Sequence, residues 1–273
     1  MRDIHLNETT AYYRCSDPEL SLDQYSQRLC TKEGVEKAQQ IQRDVYPAVS
    51  RHICVRARHF YETIKIVLAM HDVDAVISLG SGFSLLTYYL SEDFPRVQFI
   101  DSDVATVLKA RKDRIRELQK YFGPQILHVE QKIFDVSKLA KAKGEIKNFF
   151  PYKKPLFVME GMSYYLTSKE LQWLFDSFHQ YNQFFCMYDY WPSTARRSLI
   201  FNKMISLIEN QEAGEAQITV VKPEDFQKME GAVHLVEDKG LDEIEKKWAR
   251  QPYELEDPNE TVPSRFRVIS KNT

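Results

Sequence analysis

Two glycines, Gly80 and Gly82, close an apolar run in Asp-Ala-Val-Ile-Ser-Leu-Gly-Ser-Gly-Phe (74–83), and an acidic pair, Asp101 and Asp103, ends the next apolar run. Glycine lets the backbone turn sharply and come close to a ligand, and a carboxylate about 20 residues further on suits a pair of ribose hydroxyls. The pattern implies an adenosine-containing cofactor. Which one follows from what is missing. A dinucleotide fingerprint needs a third glycine where Leu85 stands, and no Gly-Lys-Ser/Thr follows to grip a phosphate. A cofactor without phosphate fits best, and S-adenosylmethionine is the common one.

Further acids fall where strands should end: Asp135, and Glu160 after Leu-Phe-Val-Met. Ligands of wound α/β sheets sit at the carboxyl ends of strands, so acids in successive units reinforce one another. Arg56 and Arg58 precede an apolar helical stretch that leads into the glycine strand. A guanidinium there suits a carboxylate, and i, i+2 spacing on a helix sends one arginine to the ligand and leaves the other structural. His59 and His179 have no serine or cysteine elbow beside them, and Gly-Ser-Gly lacks the hydrolase pattern. Histidines and cysteines do not cluster at ligand spacing, so no metal is implied.

The elements that must position these residues alternate. The pattern predicts strand 74–79, helix 84–90, strand 97–101, helix 104–121, a short strand near 126–129, strand 156–160, helix 171–181 after a Thr167 cap, and strand 184–190. Helices over 194–210 and from 222, and strands near 232–236 and 266–269, complete the reading. This is an α/β chain with a parallel, doubly wound sheet. Residues 1–58 read as a helical cap or lid. Residues 59–273 form the Rossmann-like domain, with a lid insertion around 191–230.

At 273 residues and 43% hydrophobic composition the chain can bury a sizeable core. Its formal charge of -2 gives no field to attract nucleic acid. Cys15, Cys30, Cys54 and Cys186 lack C-x-x-C spacing and read as reduced thiols. No apolar stretch of membrane-spanning length or leader-like segment is evident, so a cytoplasmic monomer or weak homo-oligomer, without membrane or nucleic-acid partners, is expected.

Four segments carry a resemblance: Arg56-Ala-Arg58-His-Phe-Tyr, Ile77-Ser-Leu-Gly-Ser-Gly82, Phe99-Ile-Asp-Ser-Asp103 with Lys109-Ala-Arg-Lys112, and Glu160-Gly-Met-Ser-Tyr-Tyr-Leu166. From about residue 50 to the end the chain resembles the leucine carboxyl methyltransferases and their bacterial relatives, including tetracenomycin-type polyketide O-methyltransferases. The last segment matches the family's E-G-x-x-x-Y-L. The resemblance implies a class I S-adenosylmethionine-dependent methyltransferase fold. It also implies Arg56 on the cofactor carboxylate, Gly80 and Gly82 along the methionyl moiety, Asp103 (with Asp101 beside it) on the ribose, and Glu160 on the amino group. Where relatives carry an adenine-contacting aspartate this chain has Lys132 and Ile133, with Asp135 matching the later acid. Tyr165 matches the tyrosine beside the acceptor.

Methyl transfer from a sulfonium is an in-line displacement, so the protein mainly orients and dries the reactants. A carboxylate acceptor needs only aiming, whereas a hydroxyl benefits from a base, for which Tyr165, Asp189 and His59 are candidates. Tyr188-Asp-Tyr-Trp191 offers aromatics either to sandwich a small-molecule acceptor, as in natural-product biosynthesis, or to pack sheet against lid. Methylation of nitrogen, carbon or a protein carboxyl terminus, and cofactor binding without catalysis, stay open. An NAD-dependent oxidoreductase is disfavoured by the missing third glycine.

Overall fold

The computed structural model describes residues 4–122, 129–211, 218–249 and 262–271. The chain begins with helices α1 (Ile4–Arg14), α2 (Pro18–Ser21), α3 (Lys32–Asp44) and α4 (Val49–Met70). There follow β1 (Ala75–Leu79), α5 (Leu86–Asp93), β2 (Gln98–Asp103), α6 (Ala105–Phe122) and β3 (Val129–Ile133). Then come α7 (Val136–Ala142), α8 (Ile146–Phe149), β4 (Pro155–Met159), α9 (Ser168–Phe178) and β5 (Phe184–Tyr190). Helices α10 (Leu199–Gln211) and α11 (Pro223–Glu230), strand β6 (His234–Gly240), helix α12 (Leu241–Trp248) and strand β7 (Arg265–Lys271) complete it.

The strands form one seven-stranded sheet in the order β3-β2-β1-β4-β5-β7-β6. Every residue of β1 and β4 is buried, as expected of central parallel strands covered on both faces. Alternate side chains divide between two cores: Val76, Phe99, Leu156 and Val158 face the layer containing α4 and α5, whereas Ile77, Ile100, Phe157 and Met159 face the layer containing α9. The strand order reverses between β1 and β4, opening a crevice at their carboxyl ends.

A third cluster lies beyond the sheet and joins the N-terminal helices to the segment after β5. It includes Tyr13, Tyr46 and Ile53 from the former and Trp191, Phe201 and Ile205 from the latter. Helix α4 runs unbroken through position 58, so cap and sheet domain share one 22-residue rod.

Two expectations need amendment. The sheet is not wholly parallel, because β7 pairs antiparallel with both β5 and β6. The reversed strand fills the slot between β5 and β6. The strand expected near 126–129 runs instead over Val129–Ile133, and residues 126–128 lie outside the described residues. The Thr167 cap is a reciprocal one: its hydroxyl accepts from Glu170 N while Glu170 accepts from Thr167 N at 2.8 Å.

Candidate active site

A cleft of about 850 Å³, counted to its mouth, occupies the crevice at the ends of β1, β2 and β4 and is covered by α1. Its floor is the turn after β1. Gly80 and Gly82 have φ of +66° and +51°, a region that side-chain-bearing residues rarely adopt. A Cβ would meet Met162 at 2.9 Å from position 80 and the Asn7 amide oxygen at 2.6 Å from position 82. Both the turn and its close cover therefore need glycine.

Two acids two residues apart on β2 hold this turn from different sides. Asp103 faces the cleft; its Oδ2 accepts from Gly82 N at 2.8 Å and its Oδ1 from Val104 N at 2.7 Å. Asp101 is buried below the floor, where it accepts from Thr87 at 2.8 Å and pairs with Arg111 at 2.6 Å. The fully buried Arg111 guanidinium continues to Ser81 Oγ at 2.9 Å and the Ser84 carbonyl at 2.6 Å, so the pair braces the glycine loop from beneath. Burial raises the Asp101 pKa against the pull of Arg111 and Thr87. Asp101 is thus corrected from a cofactor contact to a support.

The opposite side of the cleft carries a charged cluster. Glu160, at the end of β4, pairs with Arg14 of α1 and, at 3.1 Å, with Arg56 of α4. Arg56 also donates to the Tyr164 hydroxyl at 3.3 Å and lies 3.5 Å from Asp189. Burial would raise the Glu160 pKa, but the two guanidiniums outweigh it and hold the carboxyl below its ordinary value. Burial likewise disfavours the Arg56 charge, and Tyr164, Asp189 and Glu160 more than compensate. Asp189 differs: burial pushes its carboxyl up to about 6 despite Arg56 and a 2.6 Å bond from Gly161 N. Within this cluster Glu160 Oε2 and Arg14 Nε are buried without a hydrogen-bond partner. One acceptor and one donor are left over, which suits a ligand carrying an ammonium and a carboxylate side by side.

Of the residues singled out from sequence, Arg56, Gly80, Gly82, Asp103, Glu160 and Tyr165 come together around the cleft. Arg58 does not: it pairs with Glu62 at 2.8 Å, so the two arginines do part as their spacing requires. Asp189 sits behind Arg56 rather than on the cleft surface. His59 is corrected outright as a base candidate. It is fully buried away from the cleft, 3.1 Å from Glu237, with Trp248 Nε1 donating to its Nδ1 at 3.3 Å. Ile133 is exposed at the end of β3, and Asp135 caps α7 by accepting from Lys138 N at 3.1 Å; neither lines the cleft. Among the aromatics after β5, Tyr188 and Tyr190 pack on Phe226, whereas Trp191 stacks on Tyr164 at 3.8 Å and 7°.

Sequence reading set residues 1–58 in a helical cap but missed that α1 lines the cleft. Asn7, Thr10, Ala11 and Arg14 line the cleft at i, i+3, i+4 and i+7, the spacing of one helical face. That periodic polar stripe is the signal that marks them.

The family model described as leucine carboxyl methyltransferase matches residues 9–179. The chain belongs to the leucine carboxyl methyltransferase family. With that membership come the class I methyltransferase fold and S-adenosylmethionine as methyl donor. The match begins within α1, not near residue 50, which agrees with Arg14 reaching the cleft, and it ends before β5. No curated protein sequence matches this leucine carboxyl methyltransferase family chain. Solved structures share its fold. A DUF574 family protein from Streptomyces avermitilis has a TM-score of 0.67 at 8% identity, covering 98% of this chain and 97% of the other. A Thermobifida fusca protein assigned as a methyltransferase has 0.63 at 14%, covering 91% and 93%. Magnesium protoporphyrin IX methyltransferase from Synechocystis PCC 6803, with bound SAH, has 0.52 at 11%, covering 88% and 95%. Among the described residues no helix is long and apolar enough to cross a membrane.

Proposed function

We propose that the chain transfers the methyl group of S-adenosylmethionine to an oxygen of a small-molecule acceptor, a carboxylate or a hydroxyl. The observation that carries this reading is the Glu160 carboxyl, whose Oε1 is held by both Arg14 and Arg56 while its Oε2 is left without a hydrogen-bond partner, on the cleft that Asp103 also lines. On this reading Glu160 takes the cofactor's ammonium, Arg14 and Arg56 its carboxylate, the Gly80 backbone borders the methionyl chain, and Asp103 takes the ribose hydroxyls. The N-terminal 58 residues and the segment 191–230 act as cap and lid.

S-adenosylmethionine, when bound, would supply an electrophilic methyl group on a sulfonium, its transfer to the acceptor oxygen leaving the bonding pair on sulfur and a hydroxyl acceptor's proton passing to solvent at the mouth of the cleft. What the protein adds is placement and dryness. Leu6, Phe83 and Met162 line the cleft with apolar surface, which excludes water and strengthens the ionic contacts. Tyr165 stands on the acceptor side, its ring centroid 4.9 Å from that of Tyr164.

Calorimetric titration with S-adenosylmethionine, S-adenosylhomocysteine and NAD tests the reading, with Asp103→Asn in parallel. Binding of the first two, weakened at least tenfold in the variant, is expected. Binding of NAD alone, or of none, would overturn it.

A further inference from the structure

A second cavity opens off the cofactor cleft and shares with it Leu6, Thr10, Arg56, Tyr164 and Tyr165. We infer that this chamber is the acceptor site and that it takes an uncharged, hydroxyl-bearing apolar ring compound in preference to a carboxylate. The inference rests on the methyltransferase reading and narrows its acceptor class.

The walls are apolar and come from elements far apart in sequence: Ile41 and Ile53 from the cap, Trp191 after β5, and Met204, Leu207 and Ile208 of α10. Trp191, stacked on Tyr164, forms the part of the wall next to the cleft. Hydroxyl groups, among them those of Thr9, Thr10, Tyr13 and Ser264, line it as well. The Tyr46 hydroxyl lies 3.2 Å from His52 Nδ1, and Ser264 Oγ accepts from Trp191 Nε1 at 3.1 Å.

Charge decides between the two acceptor classes. Among the described residues lining the chamber, Arg56 is the sole Lys, Arg, Asp or Glu, and it is committed to Glu160 and Asp189. His52 adds no cation, because burial and then the Arg56 charge push its pKa down to about 3. A carboxylate entering here would lose its hydration with no free cation to receive it, which costs several-fold more than burying a hydroxyl that finds one hydrogen bond. The Thr10 hydroxyl, which donates to the Leu6 carbonyl at 3.3 Å, keeps lone pairs that can accept that bond.

The test uses the intact protein saturated with S-adenosylhomocysteine at pH 7, titrated with 2-naphthol and 4-phenylphenol and with their carboxylate counterparts 2-naphthoate and 4-phenylbenzoate. The phenols are expected to bind at least tenfold more tightly than the matched carboxylates. Met204→Trp, which fills the chamber from α10, should weaken phenol binding at least tenfold and leave S-adenosylhomocysteine affinity within twofold. That affinity is the folding control; should Met204→Trp lose it, Leu207→Trp plugs the same wall. Carboxylates binding as tightly as phenols, no phenol binding, or a plugged variant with undiminished phenol affinity would each overturn the acceptor assignment. Failure of S-adenosylhomocysteine to bind is read before any acceptor is added, and sinks the methyltransferase reading instead.

Discussion

Along the floor of the cleft the polar groups are tied to strand ends and backbone amides, whereas the covering helix α1 is held over it by side-chain ion pairs together with the burial of Ala11 and Tyr13. Asp103 is fixed by Gly82 N and Val104 N, and the loop beneath by Asp101 and Arg111. Helix α1 is moored by Glu8, which is fully buried, binds Thr31 at the start of α3 and pairs with Arg114 of α6, and by Arg14 on Glu160. A floor made from sheet ends is as rigid as the sheet. A cover made from long side chains can be loosened without unfolding what lies below, and ligand entry under α1 needs such a separable part.

The largest expected effect breaks the floor. Asp101→Ala leaves the Arg111 guanidinium buried and unpaired and should cost about 3–5 kcal/mol of stability in denaturant unfolding. Cofactor affinity of the folded fraction should change far less than in Asp103→Asn.

Next comes the junction of floor and cover, where Asp189 titrates. Its folded pKa of about 6 lies above the usual aspartate value, so the folded state holds this proton more tightly. Its penalty is absent below about pH 4, grows as pH rises toward 6 and is then constant. Asp189→Asn should therefore gain stability over the parent by up to about 3 kcal/mol between pH 4 and 6.5. Parallel stability curves for the two proteins would show that this carboxyl ionises normally.

Weakening the cover should do less. Arg14→Met leaves Glu160 paired with Arg56 and should cost about 1–2 kcal/mol of cofactor affinity by calorimetry, with the melting midpoint nearly unchanged. Equal losses in Arg14→Met and Asp101→Ala unfolding would erase the contrast between the two walls. The smallest effect sharpens it: Arg58→Ala, on the same helix as Arg56 but paired with Glu62 at the surface, should stay within about 1 kcal/mol in stability and leave cofactor affinity unchanged.

Strand ends were legible because period and punctuation mark them: an apolar run, then glycine or an acid. Gly80, Asp103 and Glu160 follow from that rule. Asp101 obeys the same rule and His59 sits within α4 beside Arg58, and both face inward, since which face a residue takes depends on what packs against it. His59 turns to Glu237 and Trp248, which lie far along the chain. Of the two roles open to the aromatics after β5, Tyr188 and Tyr190 take the packing one, against Phe226.

By itself the sequence determined the alternation of strands and helices, the glycine turn, the phosphate-free character of its ligand and the family, because these rest on local spacing. Tertiary structure alone decided that α1 covers the cleft, that Arg14 joins Arg56 on Glu160, that β7 enters reversed, and that a second, nearly uncharged chamber opens between the N-terminal helices and α10. Each of those depends on contacts between segments distant in the chain, whose partners are chosen by packing and charge after the local elements have formed.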